Sequence, residues 1–140
     1  PANLVMGKQG LQCIYKKCYT QNMTTQEIAK KLAELCNEGK YEEAHDSLYD
    51  ATVLSVEMDD SMGEREVRGI DAVKAKGTGW AQMFSSPATS WCDEPIVSGN
   101  SFACRMGFAG VGHNGEKIEG EELAVYVTKD GKIVEERFYW

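Results

Sequence analysis

Two glutamates stand where a side chain could move a proton. Glu57 alternates with Ser55 and Val53 along one face of an extended run. Glu136 alternates with Phe138 and Trp140 along one face of another. Burial penalises the charged form of a carboxyl, so one set among apolar walls has a raised pKa and can serve as acid or base near neutrality. At a rim in water the same group is ordinary, and glutamate is usually exposed. For Glu136 the structural alternative is an ion pair across the sheet. The walls would come from Tyr41, Trp80, Phe84, Trp91, Phe138 and Trp140. FSSPATS (residues 84–90) and GFAGVG (residues 107–112) place small residues beside aromatic ones, which would leave room for a flat apolar ligand. Core filling explains most of these rings equally well, and glycine in a strand also marks bends.

Other chemistries find less support. His45 lies on the apolar stripe of a short helix, where a proton shuttle competes with a plain boundary histidine. His113 sits in a glycine-rich turn and reads as exposed. Neither makes metal-ligand spacing with a carboxylate or cysteine, so no metal site and no cofactor is expected. Of five cysteines, Cys13 and Cys18 are the only close pair, with no second Cys or His pair to complete a zinc site. Reduced thiols are expected, with a Cys13–Cys18 bridge as the alternative.

Charge narrows the partners. The chain of 140 residues carries −7 overall, yet Lys8, Lys16 and Lys17 give residues 1–22 a charge of +3, leaving −10 for the rest. Nucleic acid and anionic membranes both demand clustered cations, so neither is an expected partner. No run reaches the roughly 18 apolar residues of a membrane span, and no signal-peptide pattern opens the chain. A cytoplasmic location is the expectation.

The elements that must position these residues begin at a seam. From Met23, MTTQEIAKKLAELCNEG has Thr24 and Glu27 at capping-box spacing, then Ile28, Leu32, Leu35 and Cys36 at helical intervals, and Gly39 as a stop. Residues 1–22 therefore read as an arm or appended segment, and residues 23–140 as one domain. A second helix spans Tyr41–Leu48. Residues 51–58 alternate as a strand, with Val53, Ser55 and Glu57 on one face. A third helix opens at Gly69-Ile70-Asp71, and Val73, Gly77, Trp80 and Phe84 share its stripe. Gly77 and Gly79 each weaken that helix by about 1 kcal/mol, which predicts a close backbone contact there. Strands follow over residues 88–98, 101–111 and 118–128. Asp130-Gly131 then makes a tight turn into a last strand rich in aromatic residues. Helices first and a long meander after give an α+β fold: a curved antiparallel sheet wrapped around three helices.

This order of elements resembles the nuclear transport factor two-like superfamily, and within it the SnoaL-like and ketosteroid-isomerase-like branch. The residues that carry the resemblance are Glu38-Gly39, LYDATV (residues 48–53), RGIDAV (residues 68–73) and DGKIVEERFYW (residues 130–140). It covers about residues 24–140. The resemblance implies a cone (a cystatin-like α+β roll) enclosing an apolar pocket, and a homodimer through the outer face of the sheet. It also turns Val53, Ser55, Glu57, Glu136, Phe138 and Trp140 toward the pocket. Ketosteroid isomerases hold an enolate with a tyrosine and a protonated acid, and abstract the proton with an aspartate. The positions matching those three are Leu32, about Leu123, and Ser55, so that trio is read as absent. Epoxide hydrolases of the scaffold need an Asp-Arg-Asp relay. Arg105 shares its strand face with Ala103, Gly107 and Ala109 rather than with apolar Phe102, Cys104, Met106 and Phe108, so it is expected to point away.

The sequence thus leads to a domain that binds a small hydrophobic molecule, polycyclic in one version, with cofactor-free acid–base chemistry of the isomerase or cyclase kind at Glu136 or Glu57. Val53, Ser55, Trp80, Phe84, Trp91, Phe138 and Trp140 are the expected ligand-binding residues. The rival reading is a non-catalytic binding or assembly module, an engineered scaffold included. The seam at Met23 and the missing trio motivate it.

Overall fold

In a computed structural model that describes residues 22–61 and 63–140, helix α1 (Thr25–Asn37) opens on the expected capping box. Thr24 Oγ1 accepts from the Glu27 amide at 3.2 Å, and the Glu27 carboxylate accepts from the Thr24 amide at 2.7 Å. Such a cap stabilises a helix by about 1 kcal/mol. Ile28, Ala29, Leu32, Leu35 and Cys36 form its buried stripe. Gly39, at φ 69°, turns the chain into α2 (Tyr41–Leu48), as glycine can without strain. The arm at residues 1–22 and the Cys13–Cys18 bridge fall outside the described residues, apart from Asn22.

Strand β1 (Tyr49–Val56) follows directly, then β2 (Glu66–Arg68), α3 (Ile70–Ala81), β3 (Thr89–Cys92), β4 (Ile96–Ser98), β5 (Ser101–Val111), β6 (Lys117–Lys129) and β7 (Lys132–Tyr139). The seven strands make one sheet in the order β2-β1-β7-β6-β5-β3, with β4 also paired to β5. The α+β class stands, with one difference: β7 runs parallel to β1, so the sheet is mixed. Strands β1 and β7 are neighbours from opposite ends of the domain, and alternation within a strand carries no information about the direction of so distant a partner. The strand expected over residues 88–98 is two, β3 and β4, split at Asp93-Glu94-Pro95. Proline has no N–H for a ladder. The Asp130-Gly131 turn is as read, with φ 52° and 79° at its two residues.

The inner face of the sheet packs on α1 and α2. Ile28, Leu32 and Leu35 meet Leu48, Val53, Phe102, Ala124, Tyr126 and Ile133, and Phe102 stacks on Tyr126 at 4.7 Å. Each such side chain stabilises the fold by roughly 1.5–3 kcal/mol on burial. Cys36, Cys92 and Cys104 are free and buried. The close contact expected at the α3 glycines is absent. A Cβ at Gly79 would meet nothing within 4 Å, and one at Gly77 would only touch the His45 ring at 3.9 Å.

Candidate functional site

The mouth of the cone is built from β1, α3, β6 and β7. Ser55 and Glu136 are Cα partners across the parallel ladder, which points both side chains inward. Ser55 Oγ donates to Glu136 Oε1 at 2.7 Å, and the Tyr49 hydroxyl donates to Glu136 Oε2 at 2.7 Å. Both carboxylate oxygens of this buried glutamate are therefore satisfied. From α3, Lys76 Nζ donates to Ser55 Oγ at 2.6 Å and to Glu57 Oε1 at 2.5 Å. The same ammonium lies 4.8 Å from the centre of the Phe138 ring, a cation–π contact. Lys76 and Glu57 keep 23% and 14% of their side-chain surface, so this ion pair is shielded but reachable.

Glu122 completes the mouth. It lies on β6 opposite Met106, on the same face as buried Ala124 and Tyr126. Burial pushes its carboxyl up to about 7, with the Glu57 and Glu136 carboxylates adding to the rise and Lys76 opposing it. One turn beyond Lys76 on α3, half-buried Trp80 packs with Phe84 and with half-buried Phe108 of β5. Ring centres are 5.0 Å apart for Trp80–Phe84 and 5.3 Å for Trp80–Phe108. His45 sits edge-on to Tyr49 at 4.9 Å, and burial lowers its pKa, so the neutral ring is favoured.

The structure thus brings together Ser55, Glu57, Glu136 and Phe138 around Lys76, while Trp80 and Phe84 pack with Phe108 in an aromatic cluster of their own. It separates three other expected residues from them. Val53 is fully buried in the core with the α1 stripe. Trp91 pairs with Gly107 on the outer face, over the Arg105 guanidinium at 5.1 Å, because its β3 parity follows Arg105 and not Met106. Trp140 lies past the end of β7 and is 46% exposed. Arg105 points outward as expected, paired with Asp93 at 3.0 Å.

Sequence reasoning missed Lys76, Tyr49 and Glu122. Glu122 had a signal: the alternation of Ala124, Tyr126 and Thr128 extends backward onto it. The acid sought near Leu123 is absent there, since Leu123 is 46% exposed, but its neighbour Glu122 faces inward. Lys76 had a weaker one, four residues before Trp80 on the stripe of α3. Among the described residues no group of His, Cys, Asp or Glu is arranged to hold a metal ion, and no helix is long and apolar enough to cross a membrane.

The family model of the SnoaL-like domain matches residues 23–140. The chain belongs to the SnoaL-like family. This SnoaL-like domain is similar to a candidate SnoaL-like polyketide cyclase of Mesorhizobium loti, at 30% identity and TM-score 0.73, over 84% of this chain and 100% of that one. It shares its fold with a protein of cystatin-like fold from Xanthomonas campestris, at 23% identity and TM-score 0.67, over 84% and 90%. The same holds for TerC co-crystallised with polyporic acid, at 12% identity and TM-score 0.67, over 83% and 90%. No curated protein matches the sequence.

Proposed function

We propose that this SnoaL-like domain binds a small, flat, largely apolar carbonyl compound at the cone mouth and moves a proton on it without a cofactor, as an isomerase or cyclase does. One juxtaposition carries the reading: a carboxyl with no hydrogen bond among the described residues (Glu122) lies within electrostatic reach of a shielded ion pair (Lys76–Glu57). Stabilising an enolate needs a base beside the carbon and a donor or positive charge beside the oxygen. Glu57 is the base in this scheme. Glu122 in its neutral form donates to the carbonyl oxygen, and Lys76 supplies the positive charge. Glu136 does not touch the substrate. It holds Ser55 and, through Ser55, fixes Lys76, which makes it a positioning residue rather than the acid the sequence suggested. Trp80, Phe108 and Phe138 supply the apolar surface, as polar groups in small-molecule sites are few among apolar walls. That TerC was crystallised with polyporic acid supports a small-molecule site on this scaffold.

The test is exchange of the α-proton of a polycyclic ketone in deuterated buffer, followed by NMR. Wild type should exchange it faster than buffer alone, and Glu57→Gln and Glu122→Gln should each lose the acceleration. Exchange at the uncatalysed rate in the wild type, across ketones that raise the melting temperature, would leave a binding module without chemistry.

The same reading includes a homodimer through the outer sheet face. Three exposed apolar side chains, Ile96, Val111 and Leu123, fall on that face by strand parity. Patches of this kind mark interaction surfaces. Leu123→Lys should convert a dimer to monomer in sedimentation experiments, and a wild-type monomer would remove this part of the proposal.

A further inference from the structure

At the seam where β1 and β7 end, the surface dips into an open depression of about 200 Å³ lined by Val56, Glu57, Arg65, Arg137, Phe138 and Tyr139. Two of its walls, Glu57 and Phe138, are also two of the three groups that contact the Lys76 ammonium, Ser55 being the third. The depression thus lies at the strand ends, where the outer face carrying Arg137 and Tyr139 meets the mouth carrying Glu57 and Phe138. Its size is below the roughly 300–1,000 Å³ of sites that enclose a whole drug-sized ligand, which suits one end group of a longer molecule.

The chemistry of the walls says which end group. Arg65 has no carboxylate partner among the described residues. The two acids of the preceding loop are turned onto backbone instead. Asp60 Oδ1 accepts from the Arg65 amide at 3.0 Å, and Asp59 Oδ1 accepts from the Ser61 amide at 2.8 Å. Arg137 uses Nε on Glu135 at 2.5 Å, which leaves the outer nitrogens of its guanidinium uncommitted. Glu57 is already neutralised by Lys76. A planar guanidinium recognises a planar carboxylate with two parallel hydrogen bonds. Phe138 and Tyr139 beside it offer ring surface to whatever carries that carboxylate.

We propose that this depression is a carboxylate subsite: Arg65 and Arg137 bind the acid group of an aryl carboxylate whose ring system extends past Phe138 to the Glu57–Lys76 pair. The class of substrate is then an aromatic carboxylic acid, and the arginines orient it. The proposal extends the acid–base reading of the mouth but is tested apart from it.

The experiment is titration of the full chain with 2-naphthoate and with 2-naphthamide, which has the same rings and no charge, followed by backbone amide NMR. Naphthoate should bind at least about tenfold more tightly than naphthamide, with shifts centred on Arg65, Arg137 and Phe138, and should weaken as salt rises. Arg65→Gln should erase the preference without lowering the melting temperature, because its side chain is exposed and has no carboxylate partner among the described residues. Arg65→Lys should recover part of it. Equal binding of the two probes, or a preference that survives Arg65→Gln, overturns the subsite. Naphthoate binding is read without turnover, so the two claims fail separately: a wild type that exchanges no ketone proton leaves the subsite standing, and equal binding of the two probes leaves the acid–base reading standing.

Discussion

Ser55 and Glu136 face each other across the parallel β1–β7 pair, and the serine hydroxyl joins the buried carboxylate to Lys76. Removing that hydroxyl has two consequences. Glu136 Oε1 is left buried without a donor, which costs about 1–3 kcal/mol. Lys76 also loses one of its two anchors. Ser55→Ala should therefore lower the urea midpoint and also reduce proton exchange on bound ketone. Glu136→Gln keeps the volume and lets the Tyr49 and Ser55 hydroxyls reorient, so it should be milder in stability. Unchanged stability in Ser55→Ala, measured by urea unfolding, would contradict the network.

Glu122 gives stability a dependence on pH. Its carboxyl rises from 4.5 to about 7 in the fold because burial disfavours the anion. The native state then holds the proton more tightly than the unfolded chain. The contribution to stability is full below about pH 4.5 and is lost as pH climbs through about 7. With partial access to water, the loss across that window is on the order of 2 kcal/mol. Glu122→Gln should flatten this part of the curve and melt higher than wild type at pH 8. Equal pH profiles from thermal melts of the two proteins would show that Glu122 is not the titrating group.

Much of the fold was legible because local signals agreed with one another. The Thr24–Glu27 box, the Gly39 stop and the Asp130-Gly131 turn each name a backbone geometry with few alternatives, and all three are found. Strand faces were legible where alternation was clean, as in Val53, Ser55 and Glu57. Trp91 went wrong because β3 is four residues long and its parity is set by pairing with β5, not by its own pattern. Lys76 was not legible for a similar reason. A lysine among helix residues reads as solvated until the sheet's two carboxylates are known to lie beneath it. The site therefore depends on long-range contacts that no single segment encodes.

The α3 glycines offer a stability test independent of chemistry. Gly79 is exposed and helical, and a Cβ there has open space. Alanine removes the entropic cost of glycine in a helix, so Gly79→Ala should raise stability by about 0.4–1 kcal/mol in chemical unfolding. A destabilised variant would mean that the backbone there is held for contact with something outside this chain.

Lys76 is the group on which the electrostatics of the mouth turn. It holds Glu57 at 2.5 Å and opposes the rise of the Glu122 carboxyl. Lys76→Gln removes that opposition, so the Glu122 titration, read from its side-chain carboxyl carbon by NMR, should move above about 7. The variant also leaves Glu57 shielded with no cation, and truncating one member of a shielded pair is destabilising. Adding Glu57→Gln takes away that uncompensated charge, and with it a carboxylate that raises Glu122. The double variant should regain stability over Lys76→Gln alone and bring the Glu122 midpoint back down. A midpoint indifferent to both changes would mean that these three side chains do not share one electrostatic environment, and the acid–base pairing of the mouth would fail with it.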